Sequence, residues 1–526
     1  MVFLQYSVLF LIIYVRIKKI NHGRLGMDKG RYDITTKKMN VIESQRGHKF
    51  KKQELIRLLE MALNKTLGEV DTNHVFDKTI GKPKITGIAG DVIEQSLLGF
   101  PADNKQRPDL YVDGIDVELK TTGIKYTKKG KKQYEAKEPM SITAVSPDKI
   151  VYEEFENSNF WHKLEHMLLV YYHYSAEKTV NAADYADFYI KGYEFHEFDE
   201  KDTSRLKSDW EIVRNFIREL QEDYDEPEKQ YPRISSELRN KLVCIDTAPK
   251  WPHPPRFRLK RQFLSNIIQE HFGGELQQLP DMYNSYADVN RKCHDITVVA
   301  KGKTVSELLK YYSIEYSKVS KSIIERIVVR MFGGTAKKLN KIEMFQSFGI
   351  IGKSVVLTTT GARTEDMKLF RIDFDEWTDE NIQFEDSFIY DYFANHQFLY
   401  MVFEEPSLEA ELSENKFLGF KRVDFDDSFL ENEVKKVWLE VRRLINENLL
   451  EETMDCRDGK PVVNANGIIK SSVNFPKSKD YNVFVRGSST DSGYKNEMVN
   501  GIRMYRQYIW IKGSYMARIL QEKDYL

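Results

Sequence analysis

Residues 109–120 read DLYVDGIDVELK, and the pair Asp113-Gly114 sits between two runs that alternate apolar and polar side chains. The pattern predicts a hairpin with a two-residue turn, because Asp-Gly tolerates the left-handed backbone such turns require. That turn fixes a register. Val112 then faces Ile115, Tyr111 faces Asp116, Leu110 faces Val117, and Asp109 faces Glu118. Directly opposed residues have Cβ atoms about 5 Å apart, so two carboxylates there repel unless something compensates. A divalent cation compensates, and hard oxygen ligands suit Mg2+, which takes one or two protein carboxylates plus waters and phosphate oxygens. Alternation also sends Asp116, Glu118 and Lys120 to one face, and Ile115, Val117 and Leu119 to the other. An ammonium at Lys120 could orient or help deprotonate an attacking water and offset charge on a pentavalent phosphate, as phosphodiester hydrolysis requires. The competing reading is an exposed polar hairpin whose charges pair among themselves.

Around this hairpin the chain has material for two or more domains. It has 526 residues, 41% hydrophobic and 12% aromatic, more than one core usually organises. The net charge of −1 gives no global attraction to nucleic acid, so any DNA contact must come from locally gathered basic residues. Cys244, Cys293 and Cys456 lie far apart with no C-x-x-C spacing, which argues against a disulfide framework and a structural zinc site and fits a reducing cytoplasm. Residues 1–26 open with an apolar run, Met1 to Val15, followed by Arg16, Lys18 and Lys19. The run is too short to span a bilayer and has its charges on the wrong side for a signal peptide. It is expected to be an extension upstream of a true start at Met27 or Met39, with an interfacial anchor as the alternative.

A polar, irregular stretch at 276–302 reads as a linker between a first domain at 27–275 and a second at 303–526. The two sides echo each other in order: residues 92–98 resemble 323–329, 119–123 resemble 357–361, 166–171 resemble 398–403, and 256–268 resemble 504–516. Two copies are too few for a solenoid, so a duplicated domain is expected. This alignment sets Val356 against Glu118 and Thr358 against Lys120, leaving the second copy without the acid and the lysine.

Pro108, Asp109, Glu118 and Lys120, in a strand reading ELKT, fill the PD-(D/E)xK nuclease motif. With Gly90 and Glu94 on the preceding helix, FWHKLEHMLLVYY at 160–172, Asp209-Trp210-Glu211 and PRFRLKRQFLSNIIQEHF at 255–272, the chain resembles the MutH mismatch-repair endonucleases. It resembles equally their relatives among type II restriction endonucleases, including the GATC-cutting branch with a duplicated MutH-like fold. The resemblance implies a mixed α/β fold, two tandem MutH-like units each with a central mixed sheet flanked by helices, the second catalytically degenerate. It implies Asp109, Glu118 and Glu94 as metal ligands, Lys120 as the catalytic lysine and Lys163 as a second active-site lysine. Taken alone, Glu94 reads as a helix-surface carboxylate and Lys163 as a solvated lysine. The stretch from Asp109 to Glu118 is longer than is usual in MutH, which leaves Asp116 as a competitor for the acidic role.

Arg256, Arg258, Lys260 and Arg261, among aromatic and proline residues of KWPHPPRFRLKR at 250–261, read as a DNA-binding segment, and Lys125, Lys128, Lys129, Lys131 and Lys132 as a backbone grip or a solvated loop. Arg486, in VFVRGSSTD, resembles a MutH-type recognition loop, which residues 230–241 lack. The expected function is a Mg2+-dependent, cytoplasmic type II restriction endonuclease acting on double-stranded DNA, with GATC as the implied target. The second domain is expected to act as a DNA-binding effector, in a monomer that dimerises or loops DNA when bound, free of membranes and protected by a DNA methyltransferase. The alternatives are a mismatch-repair nickase and a DNA-binding module with a relic active site.

Overall fold

The turn at Asp113-Gly114 closes with both residues at positive φ, 48° and 97°, and pairs Leu110, Tyr111 and Val112 with Val117, Asp116 and Ile115, the register the sequence predicts. A computed structural model of the chain describes residues 48–100, 107–127, 133–176, 180–248, 254–363, 365–463, 467, 469–489, 491 and 493–526. The extension at 1–26, Lys128, Lys129, Lys131, Lys132 and the start of the basic segment at 250–253 lie outside the described residues.

The first half is mixed α/β. Strand β1 (Lys49–Phe50) leads into helix α1 (Lys52–Ala62), and helix α2 (Ile88–Val92) runs straight into a π turn, Ile93–Leu97. In α1, Leu55, Leu58, Leu59 and Ala62 recur at helical spacing and all are buried. Strands β2 (Leu110–Val112) and β3 (Ile115–Tyr126) form the hairpin, and the middle of β3 is buried while its ends are exposed. Val117 and Leu119 pack with the α1 and α2 side chains, and Ile124 packs on the opposite face. With β4 (Tyr134–Ala136) on β3, β6 (Met167–His173) and β7 (Tyr189–His196), they make a six-stranded sheet of order β1-β2-β3-β6-β7. β3 and β6 run parallel, with Glu118 beside Met167; β6 and β7 run antiparallel with a bulge at Tyr171/Tyr172. Before β6 comes β5 (Met140–Ala144), which joins β8 (Ile245–Asp246) and β9 (Arg256–Leu259) in a small antiparallel sheet. Helix α3 (Asn159–His162) precedes β6, α4 (Glu200–Asp223) follows β7, and α5 (Arg261–His271) follows β9.

The second half repeats this plan. Strands β10 (Ile350–Leu357), β12 (Gln397–Glu404) and β13 (Lys416–Val423) pair as β3, β6 and β7 do, parallel then antiparallel, with a bulge at Val402/Phe403. Strands β11 (Met367–Arg371), β14 (Val483–Gly487) and β15 (Gln507–Ile511) pair as β5, β8 and β9 do. Met140 and Ile245 both sit opposite Leu259, just as Met367 and Val483 both sit opposite Ile511.

Two sequence expectations are corrected here. Matching the two bulges sets Tyr171 against Val402, and the strand pairings then set Glu118 against Ile351 and Lys120 against Lys353. The sequence alignment, which selects Val356 and Thr358, is displaced by five residues, an odd number that exchanges the two faces of a strand. Residues 276–302 are also not a featureless linker. They contain helix α6 (Tyr286–Ala300), which begins in a capping box between Ser285 and Asp288. Tyr286, Val289, Cys293, Ile296 and Ala300 are spaced three and four apart and all are buried, an apolar stripe hidden within a polar composition.

One apolar cluster runs through both halves, from Ile124 and Trp210 to Phe345 and Phe420. Polar links cross the seam as well. Arg205, 1% exposed, holds Glu343 with hydrogen bonds of 2.7 and 3.3 Å, and Arg239 donates to Asp427 at 2.7 Å.

Candidate active site

The side chains expected to carry chemistry come from three elements of the first half. β3 supplies Glu118 and Lys120, the hairpin's first strand is preceded by Asp109, and the residue after α3 supplies Lys163. Glu118 is 1% exposed. An isolated carboxylate so deep is costly to keep ionised, and two ammonium groups offset the cost. Lys120 Nζ stands 2.6 Å from its Oε1, and Lys163 Nζ reaches both oxygens at 2.9 and 2.8 Å. Lys163 is itself buried and also donates to the Arg107 carbonyl at 3.3 Å. Ser158 holds it in place by capping α3, accepting from Trp161 N–H.

Asp109 turns its carboxylate along the hairpin and accepts the Leu119 N–H at 3.1 Å. Its carbonyl oxygen lies 2.6 Å from His48 Nδ1, a partner 61 residues away that no local pattern announces. Burial first, and then the charge of Glu118, push the Asp109 carboxyl above its usual range. Glu94 sits in the π turn after α2, a distortion that often marks functional positions. Burial, reinforced by Asp109 and Asp91, pushes its carboxyl up to about 7. Asp116 is exposed near the turn, opposite Tyr111.

The acids and lysines therefore gather on one face of β3. Among the described residues no three acidic, histidine or cysteine groups are close enough to cage a metal. The donor set still fits a hard cation. Of the three carboxylates, Asp109 and Glu94 are raised by burial and by their neighbours' negative charge. A divalent ion would relieve both, since it needs only one or two carboxylates and fills its shell with water and phosphate oxygens.

The expected DNA-binding residues divide. Arg256 is exposed and donates to Ser141 Oγ at 2.7 Å, and Arg258 forms a two-point pair with Asp246 at 2.7 and 3.1 Å. Lys260 and Arg261 do not face solvent. Lys260 is 5% exposed and donates to the carbonyls of Arg239 and Leu242. Arg261 crosses the seam to Asp391 at 2.8 Å. These two are corrected to structural roles. After β9 the chain turns into α5, and that turn carries both side chains inward. Asp209 is likewise part of the core, fully buried and accepting the N–H groups of Val243, Cys244 and Ile245. In the second half, Arg486 is partly exposed and pairs with Asp366 at 2.7 Å.

Residues 98–209 match the family model for the DNA mismatch repair enzyme MutH. The match takes in Asp109, Glu118, Lys120 and Lys163, and Glu94 lies just before it. The resemblance extends through both halves to the type II restriction enzyme Sau3AI of Staphylococcus aureus, 24% identical over 483 residues, 82% of this chain and 92% of that protein. The chain thus resembles the MutH-like type II restriction endonucleases. No helix among the described residues is long and apolar enough to cross a membrane.

Proposed function

We propose that the chain is a type II restriction endonuclease that hydrolyses phosphodiester bonds of double-stranded DNA at a short specific sequence, GATC being the candidate target. The observation that carries the reading is the buried Glu118 carboxylate held between Lys120 and Lys163, beside Asp109 and Glu94. Asp109, Glu118 and Glu94 would hold Mg2+, which when bound lowers the pKa of a coordinated water and neutralises phosphate charge. Lys120, 21% exposed, is the more accessible of the two lysines on Glu118, and its ammonium can orient the attacking water and meet the charge on phosphorus. Lys163 fixes Glu118 in place by donating to both of its carboxylate oxygens. Arg256, exposed, and Arg258, half-buried, both lie on β9 and would contact the duplex.

The second half would be a duplicated MutH-like unit without nuclease activity, since Ile351 stands where Glu118 does. We assign it an effector role: it binds a second duplex, Arg486 among its contacts, and promotes cleavage by the first half through looping or dimerisation. A mismatch-repair nickase would leave this half unused. A DNA methyltransferase would protect the host.

Purified protein incubated with unmethylated plasmid and Mg2+ is expected to cut at one sequence, identified by sequencing the ends. Lys120→Ala should abolish cutting while retaining DNA binding. Full activity in that variant would sink the site assignment.

A further inference from the structure

Strand β2 begins only at Leu110, so Asp109 precedes the regular pairing of the hairpin. Its main chain needs fixing all the same. Carboxylates that are to share one cation repel each other until it arrives, and neutral contacts from the surrounding fold have to hold them at the right spacing.

The segment ahead of α1 supplies such contacts. From His48 to Lys52 the chain runs beside Asp109 to Asp113 and is tied to it repeatedly. The Tyr111 N–H donates to the His48 carbonyl at 2.8 Å, the Asp113 N–H to the Phe50 carbonyl at 3.2 Å, and the Lys52 N–H to the Asp113 carboxylate at 3.1 Å. The strands themselves pair over a short stretch, Lys49 with Tyr111 and Phe50 with Val112. Just upstream, the His48 side chain extends the fastening, with Nδ1 2.6 Å from the Asp109 carbonyl oxygen. A carbonyl only accepts, so Nδ1 carries the proton and donates. Asp109 is thereby held at two points. His48 takes its carbonyl, and the Leu119 N–H takes its carboxylate at 3.1 Å.

The same ring is connected to the segment of Glu94. It packs on the buried Phe100 with ring centres 4.6 Å apart, and the Phe100 N–H donates to the Glu94 carbonyl at 3.1 Å. Phe100 therefore fixes the orientation of the imidazole while belonging to the turn that carries the third acid. One half-buried side chain links the main chain of Asp109 to the surroundings of Glu94.

We propose that His48 is a positioning residue of the nuclease centre: its Nδ1–H, aimed by the Phe100 ring, fixes the Asp109 carbonyl and so sets the Asp109 carboxylate at the distance from Glu94 and Glu118 that one divalent cation requires. It acts through Asp109 and not on the substrate. The inference rests on the nuclease reading above and deepens it, by adding a residue outside both the PD-(D/E)xK motif and the stretch matched to MutH. Groups that orient a metal ligand from behind it commonly govern metal affinity or activity by about 10–100-fold.

The test follows Mn2+ binding to the full chain without DNA, by the electron paramagnetic resonance signal of the free ion, the site being the one lost in Asp109→Asn. His48→Phe keeps a ring and removes the donor. His48→Asn keeps a donor at the same place along the side chain and removes the ring. His48→Phe is expected to weaken Mn2+ binding by about tenfold or more, and in plasmid cleavage with Mg2+ to lower kcat while leaving KM for DNA little changed. His48→Asn is expected to bind Mn2+ at least about threefold more tightly than His48→Phe, because the donor is restored. Should the phenylalanine lower the melting temperature in EDTA, His48→Ala removes the donor without adding bulk and gives the same reading. Parental Mn2+ affinity in the donor-free variants would overturn the proposal, as would a parent that binds no Mn2+ or an asparagine variant as weak as the donor-free ones. The expected Mn2+ pattern in a chain that cuts no plasmid would instead defeat the nuclease reading and leave the positioning role standing.

Discussion

Glu94 shows how a single side chain can tie stability to pH. Its carboxyl is pushed up to about 7 from an ordinary 4.5, so between these values the folded chain holds a proton that the unfolded chain has released. The unfolded state binds fewer protons there, and linkage makes the fold lose stability as pH rises through that window. Asp109, shifted the same way, adds to the trend. In metal-free buffer Glu94→Gln is therefore expected to raise the melting temperature relative to the parent at pH 8 and to differ little at pH 5. An equal difference at both values would show that Glu94 does not carry the proton. The residues of this cluster are legible in unequal degree. Glu118 and Lys120 follow from strand alternation and Asp109 from the turn, whereas Glu94 and Lys163 come only through family resemblance. His48 gives no signal, because its hydrogen bond with Asp109 depends on the pairing of β1 with β2.

At the level of elements, the hairpin is the feature that its sequence determines best. Gly114 has a φ of 97°, and only the Tyr111 hydroxyl, 3.9 Å away, comes near its Cβ position, so a side chain there costs conformational strain rather than collision. Gly114→Val is expected to lower unfolding free energy by about 1–2 kcal/mol, read from urea denaturation, and to reduce cleavage by loosening the Asp109 and Glu118 register. A variant as stable as the parent would refute the left-handed turn. Other elements are harder to read for identifiable reasons. The text of β10, IIGKSVVL, has no Asp-Gly hairpin turn before it to fix its register as Asp113-Gly114 does for β3, so the alignment slides by five residues and presents the wrong face. Helix α6 is concealed because its polar composition masks the spacing of its apolar side chains. Lys260 and Arg261 belong to a visibly basic run, but charge alone does not report which side of the strand-to-helix turn a side chain takes.

Across the whole molecule, the seam between the halves is built like an interior. Arg205 is buried with Asp202 and Glu343 around its guanidinium, and removing it from this buried cluster leaves two carboxylates with Lys201, 3.3 Å from Glu343, as the remaining cation on that acid. Arg205→Met should cost about 3–5 kcal/mol and split a single calorimetric transition into two as the halves come apart. One unaltered transition would show that the apolar packing alone holds the seam. The repeat of the fold is partly legible as an echo in sequence. The continuity of the core across positions 276–302 is not, since a polar stretch is most simply read as a boundary.

That continuous core has a thermodynamic corollary. Where two halves unfold as one, a ligand that binds either half only in its folded form stabilises both, by an amount set by its concentration relative to its dissociation constant. A duplex held by the second half would thus suppress the joint unfolding that exposes Glu118, and the first half would be stabilised by DNA it never touches.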